Sequence, residues 1–183
     1  MLSDSDKRFL LQTARRSVEN AVRGSYEPLP EKIPPHLMEP CGAFVTLHRA
    51  GELRGCIGYI EGTNPLVEII QEVAEKAARE DYRFVPVTSD EVSALEIEIS
   101  VLSPLKLIND IKEIEVGKHG LVIEYEYNRG LLLPQVAVEY GWDRETFLNQ
   151  TARKAGLTSD KWKDPKAEIY IFSAEVFNEK EFV

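Results

Sequence analysis

The order of periodic segments along this chain places the strongest constraint on its fold. Residues 43–49 and 53–60 show strand-like alternation around a Gly-containing turn, which is typical of a β-hairpin. A helical stripe follows over residues 65–80, and a half-buried strand follows at residues 95–102. The same order of hairpin, helix and strand recurs more weakly over residues 116–175. These patterns predict an α+β fold with two unequal lobes, each built on an antiparallel sheet.

The two predicted lobes belong to a single domain of 183 residues. The smaller lobe spans about residues 41–108, and the larger lobe combines residues 1–40 with residues 109–183. Residues 5–23 carry an apolar stripe at helical spacing, and Gly24 is a suitable stop. We expect this N-terminal helix to pack on the C-terminal lobe.

The second hairpin contains a proline that limits its pairing. Residues 116–127 and 131–139 are strand-like, but Pro134 cannot donate to a ladder, which predicts an edge or bulged strand. A helix over residues 143–155 and a final strand over residues 168–175 complete the second lobe.

Charge and composition exclude several classes of partner. The chain has 22 Lys and Arg against 31 Asp and Glu, a formal net charge of −9, which argues against a broad nucleic-acid footprint. No apolar run approaches the roughly 18 residues of a membrane span, and the N-terminus is acidic where a secretory signal is basic. We therefore expect a cytoplasmic protein with no membrane or nucleic-acid partner.

The sequence also lacks the spacings of metal and phosphate sites. Cys41 and Cys56 are too few for a disulfide framework or a Cys-rich zinc site, and no C-x-x-C or H-E-x-x-H motif is present. The glutamates over residues 68–80 and 91–98 are most simply solvated faces. We predict no metal and no cofactor.

The hexapeptide Leu53–Gly58 is the stretch that packing alone does not explain. Gly55 and Gly58 predict a bulge or a close approach of another backbone or a ligand. In an ideal strand Arg54 and Cys56 share a face, where the guanidinium can stabilise a thiolate. One interpretation is therefore that Cys56 is a catalytic thiol and Arg54 is an anion anchor. The alternative is that Cys56 is a small buried residue that fits where a larger one would not.

Further candidate site residues lie elsewhere in the chain. Asp81 and Arg83 occupy a helix-to-strand loop, where they either bind a ligand or lock the loop to itself. Gln135 lies in an apolar run, where its amide needs partners if it is buried. His119 precedes a glycine at a strand start and could act as a base toward Cys56 if the lobes face each other.

Taken together, these stretches resemble the AMMECR-one domain family, in its prokaryotic form. The hexapeptide Leu-Arg-Gly-Cys-Ile-Gly is that family's signature, and other blocks follow in order over nearly the whole chain. The matching blocks are Phe44-Val45-Thr46-Leu47, Leu53–Gly58, Asp81 with Arg83, Phe84 and Pro86, Leu102-Ser103-Pro104, Gly117 with Gly120 and Leu121, Leu131–Ala137, and Lys154-Ala155-Gly156-Leu157.

The resemblance implies a two-lobed α+β protein with the signature near a groove between the lobes. It implies no firmly assigned reaction. Prokaryotic members are often linked to a radical SAM protein and a Memo-like protein, which are the implied partners. Relatives often have cysteine at two positions where this chain has Asn149 and Ala152. Because this chain lacks those cysteines, a metal or redox site at these positions is not implied for it.

Two functional hypotheses follow. The first is binding of a small or modified substrate in the inter-lobe groove at the hexapeptide, with Cys56 as a thiol that contacts or attacks it. The second is a non-catalytic interaction module in which the hexapeptide and the Pro134-Gln135 region dock a partner protein. Whether the protein is an enzyme stays open at this point.

Overall fold

A computed structural model describes residues 2–182 of the chain. Within this range the chain forms four α-helices and seven β-strands, and the α+β class predicted from the sequence is confirmed. The elements in chain order are α1 (Asp4–Arg23), β1 (Ala43–Arg49), β2 (Glu52–Tyr59), α2 (Leu66–Arg79), β3 (Leu95–Leu102), β4 (Lys106–Ile108), β5 (His119–Tyr125), β6 (Asn128–Leu132), α3 (Pro134–Glu139), α4 (Arg144–Lys154) and β7 (Glu168–Asn178).

The chain divides into two compact units. The first unit runs to Leu102 and also takes in the chain from Glu175 onward, and the second unit spans Ser103–Ala174. In the first unit the antiparallel strand order is β2-β1-β3, with β2 at the end of the order. Alternation places Ala43, Val45 and Leu47 of β1 on one face, where they are fully buried against the helices.

Helix α1 belongs to the first unit, which corrects the prediction that it packs on the C-terminal lobe. Its stripe of Leu10, Ala14 and Val18 is buried in the same core as Ile70 and Val73 of α2. Residues 1–40 therefore do not group with the second half of the chain as predicted. The reason is physical: an apolar stripe predicts that a helix is covered, but it does not specify which surface covers it.

The second unit is built on β5, which pairs antiparallel with β6 and with β7, while β4 pairs with β7. Its hairpin turns at Glu126 and Tyr127, where Glu126 has φ +54°. The sequence pattern predicts the turn two residues later, at residues 128–130. Residues Pro134–Glu139 form the short helix α3, so the prediction of an edge or bulged strand there is wrong. Proline at the first turn of a helix needs no backbone donor, which explains the outcome.

Candidate functional site

The hexapeptide lies on the edge strand β2, which contains a β-bulge. Leu47 pairs with Gly55, but the next residue of β1, His48, pairs with Leu53, so Arg54 is the extra residue of β2. A bulge bends the strand and redirects the side chain of the inserted residue. The alternation that would place Arg54 beside Cys56 is therefore broken at this point.

The two glycines of the hexapeptide allow close contacts, as their presence predicts. A Cβ atom added at Gly55 would lie 2.3 Å from the backbone carbonyl oxygen of Ala77 in α2. A Cβ atom added at Gly58 would lie 2.3 Å from Cγ of the Phe44 ring. Neither position can accept a side chain without displacing its neighbour. Helix α2 and the Phe44 ring thus pack directly on the backbone of β2.

Arg54 is held by a buried carboxylate rather than presented for an anion. Its Nε and one terminal nitrogen donate to the two Glu91 oxygens at 3.0 and 2.9 Å, and its other terminal nitrogen donates to the Val85 carbonyl at 2.9 Å. Glu91 also accepts from Arg49 and from the backbone N–H of Thr88. These contacts, led by Arg54, lower the pKa of Glu91 to about 2. Glu91 is buried, so the prediction of a solvated face is wrong at this residue.

Asp81 and Arg83 lock the backbone of the hexapeptide. The Asp81 carboxylate is 4% exposed and accepts the Cys56 backbone N–H at 2.8 Å. Arg83 donates to both Asp81 oxygens, at 2.9 and 2.7 Å, and to the Cys56 carbonyl at 3.3 Å. The Arg83 hydrogen bonds hold the pKa of Asp81 at about 2. The pair satisfies the outward backbone groups of an edge strand, which would otherwise be open to pairing.

The Cys56 thiol lies on the strand face opposite the helices. The Thr46 hydroxyl of β1 donates to its sulfur at 3.2 Å, since Thr46 and Cys56 are directly paired. Burial raises the pKa of the Cys56 thiol, whereas the Thr46 hydrogen bond and the positive charge of Arg83 act in the opposite direction with smaller effect. The balance favours the protonated thiol, which is a weak nucleophile.

The thiol chemistry can be measured directly. We expect Cys56 to show a pKa above the free-cysteine value of about 8.5 and to alkylate more slowly than a free thiol at neutral pH. The rate of iodoacetamide reaction against pH checks this in a Cys41→Ser variant, which leaves Cys56 as the single thiol. Cys56→Ser in the same background gives the blank. A depressed pKa with fast alkylation would contradict the expectation.

The loop after α2 exposes large apolar side chains beside the hexapeptide. Tyr82 is 94% exposed and Val85 is 77% exposed, and Leu53 on β2 is partly exposed. The loop is fixed by the Asp81–Arg83 pair and by the hydrogen bond from Arg54 to the Val85 carbonyl. The sequence identifies this loop by its charges and does not predict that Tyr82 and Val85 are exposed.

The remaining predicted site residues lie in the second unit. His119 begins β5, and its Nδ1 accepts the backbone N–H of Glu115 at 3.1 Å, so this nitrogen is an acceptor. Gln135 lies in the first turn of α3 and is partly buried. Cys56 belongs to the first unit. The predicted pairing of His119 with Cys56, and the predicted groove between lobes, stay predictions.

Three findings on the described residues concern metal binding, membrane insertion and buried polar groups. In residues 2–182 no group of three or more His, Cys, Asp or Glu side chains is arranged to hold a metal ion. Over the same residues, no helix combines the length and apolar character needed to cross a bilayer. Every buried side-chain nitrogen or oxygen atom of this part of the chain has a hydrogen-bond partner.

The fold and the hexapeptide together define an α+β protein in which a glycine-containing edge strand is clamped to a helix-to-strand loop. The family model AMMECR1 matches residues 11–177, and the chain belongs to the AMMECR1 family.

Relatives support this assignment along the whole chain. A Thermococcus gammatolerans protein is 46% identical, with 98% of this chain and 93% of that protein covered. A Methanothermobacter thermautotrophicus protein is 43% identical, with 97% of this chain and 96% of that protein covered. The crystal structure of the Pyrococcus horikoshii protein PH0010, titled uncharacterized, matches with a TM-score of 0.88 at 43% identity, covering 94% of this chain and 90% of that one.

Proposed function

We propose that this protein is a non-catalytic interaction module, and that the clamped loop 82–85 is its docking surface. The observation that carries the proposal is the exposure of Tyr82 and Val85 on a loop that is fixed by two ion pairs with buried carboxylates. Exposed apolar side chains mark interaction sites when they cluster on the surface. Tyrosine is also among the residues that dominate binding energy at interfaces.

Preorganisation is the second support for this proposal. Arg54 donates to the carbonyls of Val85 and Pro86, at 2.9 and 3.4 Å, and Asp81 accepts the backbone N–H of Arg83 at 3.2 Å. A loop that is already ordered loses little conformational entropy when a partner binds, so more of the contact energy appears as affinity. The hexapeptide then acts as the clamp for the docking surface.

The surface also specifies the chemistry of its partner. The Arg83 side chain is about half exposed beside Tyr82, and Arg49 is similarly exposed on the far side of Glu91. An apolar pocket with an acidic rim would complement both the Tyr82 ring and these cations. We propose a partner protein with such a pocket. The radical SAM and Memo-like proteins implied by the family resemblance are the candidates to test.

Substitution of the docking surface should weaken partner binding without unfolding the protein. We expect Tyr82→Ala to lower affinity by about 30-fold, in the range of interface hot spots. Val85→Ser should lower affinity by about fivefold through lost apolar contact. The matched control is Tyr127→Ala, which removes an equally exposed tyrosine from the β5–β6 turn.

Binding is measured by co-purification and then by biolayer interferometry with the radical SAM and Memo-like proteins of the same genome. Retention of affinity in Tyr82→Ala and Val85→Ser would contradict the docking proposal, as would equal losses in the Tyr127→Ala control. Absence of any complex with either candidate removes both named partners.

A second candidate function is binding of a small substrate at the Cys56 thiol. It is favoured by one observation: Cys56 is only partly buried, and its thiol accepts a hydrogen bond from Thr46. In this role the Cys56 thiol would contact or attack a ligand, and Arg54 would position the strand without touching the ligand. A fast, low-pKa thiol in the alkylation experiment would favour this candidate over the interaction module.

A further inference from the structure

A cavity of about 390 Å³ lies beside the C-terminal half of α1. It is formed by the last two turns of α1 and by residues 89–93, which precede β3. The volume falls within the range of roughly 300 to 1,000 Å³ that is typical of small-molecule sites. The lining residues are Arg15, Glu19, Val22, Arg23, Ser89, Val92 and Ser93.

Arg15, one of the two arginines that line this cavity, is held in place by contacts within the protein. Arg15 donates to the backbone carbonyls of Val92 and Leu95, at 3.0 and 2.8 Å, and forms a two-point ion pair with Glu179. These contacts tie α1 to the residues before β3 and set the width of the cavity. The charge of Arg15 is balanced by Glu179, so this arginine adds little net attraction for an anion.

The second arginine is largely exposed and forms only a long surface ion pair. The Arg23 side chain is 69% exposed, and its nearest acidic partner, Glu19, lies at 3.9 Å, which is beyond hydrogen-bond distance. A guanidinium presents several N–H donors in a planar fork that matches phosphate oxygens. Ser89 and Ser93, which are both exposed residues, also line the cavity.

We propose that this cavity binds a small organic molecule that carries a phosphate group. Arg23 contacts the phosphate, and Ser89 and Ser93 donate their hydroxyl hydrogens to it. The organic part of the ligand packs on Val22 and Val92, which supply the apolar wall. Glu19 lies in the same cavity and opposes an anion. The site is separate from the hexapeptide and does not depend on the docking proposal.

Two neighbouring charge removals, at Arg23 and at Glu19, should change ligand binding in opposite directions and so test this site. Phenyl phosphate serves as the probe because it joins one phosphate to one apolar ring, and its binding is measured by isothermal titration calorimetry at low salt. We expect Arg23→Gln to weaken binding at least tenfold, since it removes a charge-assisted contact. Glu19→Gln should strengthen binding severalfold, since it removes a repelling carboxylate. Inorganic phosphate and phenol should each bind more weakly than phenyl phosphate.

The matched control is Arg153→Gln, which removes an exposed arginine from the last turn of α4. It should leave phenyl phosphate binding unchanged, which separates this cavity from general attraction of anions to surface arginines. The proposal is overturned if Arg23→Gln binds like the natural protein. It is also overturned if the natural protein shows no saturable binding up to about 10 mM phenyl phosphate. A specific site with a dissociation constant of about 1 mM would be largely saturated at that concentration.

Discussion

Replacing Gly55 with alanine is expected to destabilise the protein by about 3 kcal/mol, because the added Cβ would lie 2.3 Å from a backbone oxygen of α2. Ala77 lies in the last turn of α2 and is buried, so its carbonyl cannot swing away as a side chain would. Either the helix or the edge strand must shift, and either shift disturbs close-packed contacts of the core. Urea unfolding followed by circular dichroism measures the loss as a lower midpoint.

Gly24→Ala is the matched control for this prediction. Gly24 ends α1 with φ +69° and has nothing within 4 Å of an added Cβ, so its substitution tests backbone strain without a steric contact. That strain costs about 1 kcal/mol. Circular dichroism is the readout because both tryptophans, Trp142 and Trp162, lie in the second unit, so tryptophan fluorescence reports on that unit alone. A Gly55→Ala cost no greater than that of Gly24→Ala would contradict the close-contact explanation.

The hexapeptide therefore has a mechanical explanation for most of its residues. Gly55 admits α2, Gly58 admits the Phe44 ring, and Arg54 reaches Glu91 across the loop. The backbone of Cys56 is held by Asp81 and Arg83, whatever its side chain does. These roles favour a signature that shapes a surface over one that performs a reaction, which is why loop 82–85 carries the proposed function.

Local periodicity was sufficient to predict most elements of this fold. Asp143 caps α4 and Gly24 ends α1 because capping depends on neighbouring residues. The first hairpin follows from alternation and a short turn. Pro134 was ambiguous because the same residue is compatible with a strand edge and with the first turn of a helix. The partner of α1 was not predictable, since helix packing joins segments that are far apart in sequence.

The candidate site was predictable only in part, and its long-range pairs explain why. Asp81 and Arg83 were identified as a pair that could lock its own loop, and their mutual ion pair fits that alternative. Glu91 was missed because 37 residues separate it from Arg54. A local signal did exist: Thr88 and Glu91 have the spacing of a capping box, and Glu91 accepts the Thr88 backbone N–H at 2.9 Å.

Glu91→Gln is expected to cost about 3 kcal/mol at neutral pH, because it leaves the Arg54 charge in a largely buried position without its counter-ion. The amide keeps the size of the side chain, so the loss reports on charge rather than on a cavity. Glu27→Gln is the matched control, since Glu27 pairs with Arg16 at the exposed surface at 3.9 Å. An exposed pair of this kind contributes about 0–1 kcal/mol.

The pH dependence of the same variant separates charge from packing. The pKa of Glu91 is lowered from 4.5 to about 2 in the folded protein, so its contribution is complete above pH 4.5 and is lost as pH falls toward 2. The natural protein should therefore lose stability over this interval. Glu91→Gln should lose less, because it already lacks the stabilisation by the ionised Glu91 carboxylate. The pKa of Asp81 is also about 2, so Asp81 makes the stability of both proteins fall with pH over the same interval. Urea midpoints measured between pH 5 and pH 2 check this, and parallel profiles for the two proteins would show that Glu91 does not stabilise the fold through its charge.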